Sequence, residues 1–247
     1  MLERYEKMKK KRIIALLLSV CMLFTACSGN PNTSDPENSR PLIEIDRGGE
    51  VKINISGVDG RSFIPAVSGL TCVATVFGYY GISVKPDALR FYAPIVEGTT
   101  YIDGKPSPYK KIVGNPMGLI AFYYAAPIIE AVENYFKDYP KKTQGRVVKN
   151  ISGATVEEIK GYIDREIPVI IWGTVTGNAA IPIDDYSWIT DEGDRFTGKM
   201  SPRCYTVIGY NNSEILVLSD NGKQLNVMND TFIEMYESYE SQAIVIE

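Results

Sequence analysis

A short apolar run near the N-terminus, directly after a cluster of basic residues, most constrains which part of the chain can fold as a domain. The basic segment Met8–Arg12, "MKKKR", precedes the run Ile13–Phe24, "IIALLLSVCMLF". This order is typical of a secretory signal, and the run is shorter than the roughly 20 residues that a transmembrane helix needs. We therefore expect secretion across the cytoplasmic membrane and a folded part that begins well after this run.

The end of the apolar run resembles the lipobox of bacterial lipoproteins. Thr25 and Ala26 precede Cys27 in "LFTAC", and in such proteins this cysteine is lipidated and becomes the first mature residue. Ordinary signal cleavage beside an incidental cysteine is the alternative. The polar stretch 28–40 contains Gly and Pro and cannot bury a core. The predicted organisation is a lipoprotein signal at 1–27 with lipidation at Cys27, a flexible tether at 28–45, and a folded domain at 46–247 that is anchored at the cell surface.

Composition restricts the classes of partner and cofactor. The chain has 26 Lys and Arg against 30 Asp and Glu, a net charge of -4, and no histidine. We therefore expect no nucleic-acid partner, and we expect the protein to contact the membrane only through the lipid on Cys27. Zinc-ligand spacings, phosphate loops and dinucleotide fingerprints are missing from the sequence, so we expect no metal and no cofactor. The domain has two cysteines, Cys72 and Cys204. Side chains alternate along a strand, so Cys204 is predicted to face the core, opposite its neighbour Arg203, and a bridge to Cys72 is not expected. Both thiols should therefore be free.

The order of the periodic segments predicts an α+β fold with helices early and strands late. The predicted helices are Cys72–Tyr80 with Thr71 as N-cap, a short one from Pro86, one from Pro127, one opened by a Thr155/Glu158 capping box, and one capped by Asn229 or Asp230. The predicted strands are 50–57, 169–175, the hairpin of 204–210 with 214–219, and 241–247, and residues 94–118 are predicted to form a long loop.

Three ordered segments resemble one known family. They are "TCVATVFGYYGI", "ATVEEIKGYIDREIPVIIWGTV" and "SPRCYTVIGYNNSEILVLSDNGK", followed by "SQAIVI". Together they are similar to papain-like cysteine peptidases of the bacteriocin-processing, double-glycine-leader type, in the stand-alone peptidase-like branch of bacterial lipoproteins. The resemblance implies a papain-like α+β fold in which a cysteine-bearing helix packs on an antiparallel sheet.

The resemblance also implies where the catalytic residues would be. In the family, a cysteine at a helix start is the nucleophile, a histidine on the first late strand exchanges the proton, and an Asp or Asn orients that histidine. Cys72 then takes the nucleophile position and Asp220 the orienting position, while Arg203 stands where the histidine is expected. The Gln that supports the oxyanion is missing too, because the glutamines are Gln144, Gln224 and Gln242.

The loss of the histidine argues against peptidase chemistry. A guanidinium carries only donors and does not accept a proton at working pH, and general acid–base transfer is typically worth about 10²–10⁴ in rate. We expect an inactive, peptide- or protein-binding lipoprotein in which Arg203 pairs with Asp220 or helps to bind an anionic group. An active cysteine peptidase or amidohydrolase with an unusual base, such as a water activated through Asp220, is one alternative. A structural envelope protein with a closed cleft is another.

Overall fold

The computed structural model describes residues 44–45, 49–98, 104–175, 177–200 and 202–247. The predicted signal, the lipidation site at Cys27 and the tether up to residue 43 lie outside the described residues. The described residues fold into helices and mainly antiparallel sheets, so the predicted α+β class is confirmed. None of the described helices is both long enough and apolar enough to cross a bilayer.

Six α-helices and thirteen strands are present among the described residues. The helices are α1 Ser68–Tyr79, α2 Pro86–Leu89, α3 Ala125–Asp138, α4 Pro140–Thr143, α5 Val156–Ile163 and α6 Asn229–Glu237, with a 3₁₀ turn at Arg90–Tyr92. The strands are β1 Glu44–Ile45, β2 Val51–Lys52, β3 Ile95–Val96, β4 Ile112–Gly114, β5 Ala121–Phe122, β6 Val148–Asn150, β7 Val169–Thr174, β8 Pro182–Ile189, β9 Arg195–Lys199, β10 Pro202–Tyr210, β11 Glu214–Leu218, β12 Gln224–Met228 and β13 Ala243–Ile246.

An eight-stranded antiparallel sheet organises the domain around β10. Strand β10 pairs with β7 along residues 202–207, with β2 at Gly209 and Tyr210, and with β11 from Thr206 onward. Strand β13 joins β7 to β6, and β12 extends the sheet beyond β11. The long strand β10 therefore holds its first residues, including Arg203, beside the C-terminal end of β7.

The main sheet is covered on both faces, which explains its apolar strands. Residues Ile170 and Trp172 pack in one buried cluster with α1 and α3, while Val169 and Ile171 pack in a second cluster with α5 and α6. Side chains alternate between the two faces of a strand. All six residues of β7 are buried, so its continuous apolar run is the pattern of a strand enclosed on both sides.

Most of the predicted elements are confirmed, with four corrections. The Thr155/Glu158 capping box and the β10–β11 hairpin are present as predicted. In the predicted strand 50–57 only Val51–Lys52 is a strand, although the Ile53 amide still donates to the Ile208 carbonyl at 2.7 Å. The predicted loop 94–118 contains β3 and β4, which pair with each other in a small sheet. Helix α6 follows Met228 without a side-chain cap, and α1 begins earlier than predicted, as described below.

Candidate functional site

Helix α1 begins at Ser68 rather than at Cys72, which moves the predicted nucleophile into the helix. The Leu70 amide donates to the Val67 carbonyl at 3.1 Å and closes a turn before Cys72 is reached. Ser68, not Cys72, is the first helical residue, and Cys72 is the fifth. All ten residues from Ser68 to Phe77 are buried, so the first turn of the helix is already packed in the core. The predictions that Cys72 heads the helix and that Thr71 caps it are therefore wrong.

Cys72 lies in the core and not on the surface of a cleft. Its side chain is buried, with 2% relative exposure, in the cluster that also contains Cys204. Burial raises the pKa of the Cys72 thiol well above its ordinary value, and the neighbouring Cys204 thiol raises it further, while the Thr206 hydroxyl acts in the opposite direction. At neutral pH this thiol is protonated, so it is a poor nucleophile.

A buried hydroxyl network occupies the start of α1. The Ser68 hydroxyl accepts a hydrogen bond from the Cys204 amide at 2.8 Å and shares a hydrogen bond with the Tyr123 hydroxyl at 3.1 Å. The Gly69 amide donates to the same Tyr123 hydroxyl at 2.9 Å, and the Cys204 thiol lies 3.5 Å from it. Tyr123 therefore satisfies one of the otherwise unpaired amides at the helix start and connects α1 to β10.

Glycine at position 69 permits this close approach. A Cβ atom there would lie 3.0 Å from the Tyr123 ring and 3.2 Å from the Ile128 side chain. Both distances are tighter than ordinary van der Waals contact, so a larger residue would push Tyr123 away from the helix start. The sequence "SG" at 68–69 is thus the local reason that α1 can begin against Tyr123.

Arg203, the second residue of β10, forms an ion pair with Asp220, which lies two residues after the end of β11. The Arg203 Nη1 atom lies 3.0 Å from Asp220 Oδ2 and also donates to the Pro65 carbonyl at 3.1 Å. The Asp220 side chain is only 11% exposed, whereas the Arg203 side chain is 33% exposed. The Asp220 carbonyl in turn accepts from the Gly60 amide at 2.9 Å. The predicted pairing of Arg203 with Asp220 is therefore present, with the carboxylate behind the guanidinium.

A groove opens beside Arg203. Its volume is about 270 Å³, and its walls are formed by Ala66, Leu119, Ile120, Ala121, Val175, Pro202 and Arg203. Leu119 is 94% exposed and Val175 is 54% exposed, so the groove has an apolar rim. We refer to this cavity as the Arg203 groove.

The predicted site residues are brought together only in part. Arg203 and Asp220 are paired and Arg203 lines the groove. Cys72 lies in the core beside Cys204, close enough to Asp220 for that carboxylate to raise the pKa of the Cys72 thiol further. Both thiols are free, as predicted, and burial raises the pKa of Cys204 to about 12. Sequence reasoning missed Ser68 and Tyr123. Serine is favoured at N-caps, and Ser68, which directly follows the observed N-cap Val67, could have indicated an earlier start of the helix. Tyr123 is remote in sequence and gave no signal.

Metal chemistry finds no support among the described residues, where no group of three or more Cys, Asp or Glu side chains is arranged to hold an ion. The two tryptophans belong to the core and not to the groove. Trp172 and Trp188 are both at most 2% exposed, and the Trp172 indole N–H donates to the Tyr123 carbonyl at 3.2 Å. The candidate site is therefore the Arg203–Asp220 pair, its groove and the start of α1.

Comparisons with known proteins agree with this architecture. A search of curated proteins gives no significant match. A crystal structure from Bacillus anthracis, of a protein described as a C39-like peptidase, matches with a TM-score of 0.64 at 19% sequence identity, covering 78% of this chain and 94% of that chain. That likeness shows the papain-like fold. The model of the Peptidase_C39 like family matches residues 65–244, more than half of the chain, and this protein therefore belongs to the Peptidase_C39 like family.

Proposed function

We propose that this protein is a catalytically inactive member of its family, anchored to the cell envelope by a lipid, which binds peptide or protein segments in the Arg203 groove. The Arg203–Asp220 ion pair, with its 3.0 Å contact, carries the proposal. The family resemblance implies a histidine at position 203 and the acid that orients it at position 220. An ion pair there fixes a positive charge where the reaction needs a group that gains and loses a proton.

The hydrogen bonds of Ser68 support this proposal, because its partners among the described residues are the Tyr123 hydroxyl and the Cys204 amide, and neither is a base near neutral pH. A guanidinium offers donors only. The resemblance expects the nucleophile at the helix start, where Ser68 now stands, and the Ser68 hydroxyl is 2% exposed and faces the Cys204 amide and the Tyr123 hydroxyl. Burial raises the pKa of Tyr123 well above its ordinary value, so Tyr123 stays protonated and does not serve as a base. These contacts support the proposed inactivity, since a serine or cysteine nucleophile needs an adjacent base or a lowered pKa.

The groove supports a binding role over a purely structural one. A structural protein with a closed cleft would fill the space beside Arg203, yet a cavity of about 270 Å³ remains there. Exposed apolar side chains beside a cavity are typical of recognition surfaces. Leu119, the most exposed of them at 94%, gains nothing for folding from that position and is available to a ligand.

A turnover assay tests the inactivity. The full-length chain is incubated with a mixed peptide library, and products are read by mass spectrometry in parallel with the variants Ser68→Ala and Cys72→Ala. We expect no cleavage above the level of the variants. Cleavage that either variant abolishes would establish an enzyme and overturn the proposal.

Lipid anchoring rests on the sequence "LFTAC" that ends in Cys27. Expression in a bacterium with a radiolabelled fatty acid should label the protein and place it in the membrane fraction. The variant Cys27→Ser should lose both the label and the membrane association. A protein that remains unlabelled and is released after ordinary signal cleavage would refute the anchor but leave the binding proposal intact.

A further inference from the structure

The Arg203 guanidinium uses only part of its hydrogen-bonding capacity within the protein. An arginine side chain has five N–H donors arranged as a planar fork. The Nη1 atom of Arg203 serves both the Pro65 carbonyl and Asp220. Among the described residues, no partner of the Nε or Nη2 atoms is present, and the side chain is 33% exposed. One edge of the fork is therefore held in place while another edge remains available for a ligand.

The exposed charge of the groove is positive. Arg203 is the single charged residue among the described residues that line it. The carboxylate that balances Arg203 is the 11% exposed Asp220, which lies behind the guanidinium. Arg61, an exposed cation that does not line the groove, is paired with Asp59 at 2.8 Å. A ligand entering the groove therefore meets the donors of a fixed guanidinium before it meets any carboxylate, and a ligand carboxylate complements this arrangement.

The walls and the size of the groove restrict the rest of the ligand. Leu119, Ile120 and Val175 give one apolar side to the cavity, and all three are exposed. Its volume of about 270 Å³ is below the roughly 300–1,000 Å³ of pockets that hold drug-sized molecules. This space suits one or two residues at the end of a chain. A phosphate group would leave the apolar wall unused and would find one arginine where phosphate sites commonly gather several donors.

We propose that the Arg203 groove binds the carboxyl-terminal residue of a peptide that ends in an apolar side chain. The free α-carboxylate accepts hydrogen bonds from the open edge of the Arg203 guanidinium, and the terminal side chain packs on Leu119, Ile120 and Val175. This inference rests on the peptide-binding function proposed above and specifies which part of the peptide is recognised. The guanidinium that replaces the proton acceptor thus becomes the residue that selects a chain end.

Fluorescence anisotropy with short labelled peptides tests the proposal on the full-length chain. The probes are N-terminally fluorescein-labelled tetraglycyl-leucine with a free carboxylate, the same peptide as its C-terminal amide, and pentaglycine with a free carboxylate. We expect the free acid to bind about tenfold to a hundredfold more tightly than the amide, because the amide loses a charge-assisted hydrogen bond. We also expect the leucine-ended acid to bind at least about tenfold more tightly than pentaglycine, because it buries an apolar side chain.

Matched variants assign these differences to the groove. Arg203→Gln should make the acid and the amide bind equally, and Arg203→Lys should restore part of the difference, since it keeps the charge without the fork. Leu119→Ser should remove the preference for leucine over glycine. Phe91→Ser alters an apolar residue that is 77% exposed but does not line the groove, so it should change nothing.

The possible outcomes distinguish recognition of a peptide's C-terminal residue from the broader proposal of peptide binding without catalysis. If acid and amide bind equally and Leu119→Ser weakens both, chain-end recognition is wrong while peptide binding in the groove stands. If none of the probes binds, chain-end recognition is wrong as well. If the probes are shortened during the measurement in a manner that Ser68→Ala prevents, the proposed inactivity is wrong. A preference for the acid that Arg203→Gln leaves intact would show that another cation binds the carboxylate and would overturn the inference.

Discussion

Removing the positive charge from position 203 should destabilise the fold measurably. Arg203→Gln leaves the Asp220 carboxylate, 11% exposed, without its ionic partner at 3.0 Å, and it also loses the bond to the Pro65 carbonyl. Breaking a fully buried ion pair costs about 3–5 kcal/mol, whereas an exposed pair contributes about 0–1 kcal/mol. Because the Arg203 side chain is 33% exposed, water reaches the site, and we expect a loss of about 2 kcal/mol in the free energy of unfolding.

A double-mutant cycle isolates the ionic part of this loss. The variants Arg203→Gln, Asp220→Asn and the double variant are unfolded with urea, and the transition is followed by the fluorescence of the buried Trp172 and Trp188. The double variant should lose less than the sum of the single variants, because removing the carboxylate also removes the cost of leaving it unpaired. We expect an interaction energy of about 1–2 kcal/mol between the two positions.

The exposed pair of Arg61 with Asp59 is the matched control. Its contact of 2.8 Å is at least as short, but the two side chains are 55% and 48% exposed. The same cycle with Arg61→Gln and Asp59→Asn should give an interaction energy within experimental error of zero, since water and salt screen such pairs. If the Arg203–Asp220 cycle gives an equally small value, burial does not strengthen that pair, and the reasoning that assigns Asp220 a structural need for Arg203 is refuted.

Four further outcomes follow from the buried groups and from position 203. Cys72 and Cys204 should resist alkylation in the folded protein near neutral pH and should react once the protein is unfolded, which intact-mass spectrometry measures. Fast alkylation of either thiol in the folded protein would contradict their burial. The pKa values of both thiols in the folded protein lie above the ordinary 9.0, so the unfolded chain releases these protons first as pH rises. The free energy of unfolding, measured by urea titration, should therefore be unaffected by the thiols below pH 9 and should decline above it. A constant free energy of unfolding above pH 9 would refute this linkage. Tyr123→Phe should cost about 1–3 kcal/mol, while Tyr162→Phe, which removes a hydroxyl without a hydrogen bond to any described residue, should cost much less in the same titration. Arg203→His should give no peptide cleavage in the library assay, because Cys72 stays in the core; cleavage that needs Cys72 would show that its burial is not maintained.

The elements that the sequence predicts well are those with their own local signals. The capping box of Thr155 and Glu158 satisfies two amides at the start of α5, and it is readable from residue spacing alone. Strand β7 follows Pro168 as a continuous apolar run, which its burial on both faces explains. The strands between residues 94 and 118 escaped prediction because they are two or three residues long. Such pairing depends on distant partners and not on local periodicity.

The start of α1 was mispredicted because tertiary contacts determine it. Thr71 is an acceptable N-cap by residue type, but it lies buried inside the helix, where Gly60 packs against it: a Cβ on Gly60 would come within 1.9 Å of the Thr71 hydroxyl oxygen. That contact comes from a loop that precedes the helix and is held by the Asp220 carbonyl. Pairing of Arg203 with Asp220 was predictable, because both positions follow from the resemblance of the late strands. The groove beside them was not, because its walls come from segments far apart in the sequence.

The resemblance implies a histidine where Arg203 stands, and a guanidinium at this position makes the charge of the Arg203 groove independent of pH in the neutral range. A histidine between pH 5 and 8 alternates between a neutral and a charged form, so a site built on it changes its charge within that range. A guanidinium remains charged throughout, and its contact with the 11% exposed Asp220 offsets the cost of keeping that carboxylate away from water. The pair therefore holds the groove in one electrostatic state, which suits constant recognition of an anionic chain end and not a proton-transfer cycle. If the protein acts as we propose, the acid position keeps a role without catalysis, because Asp220 orients the guanidinium that binds the ligand.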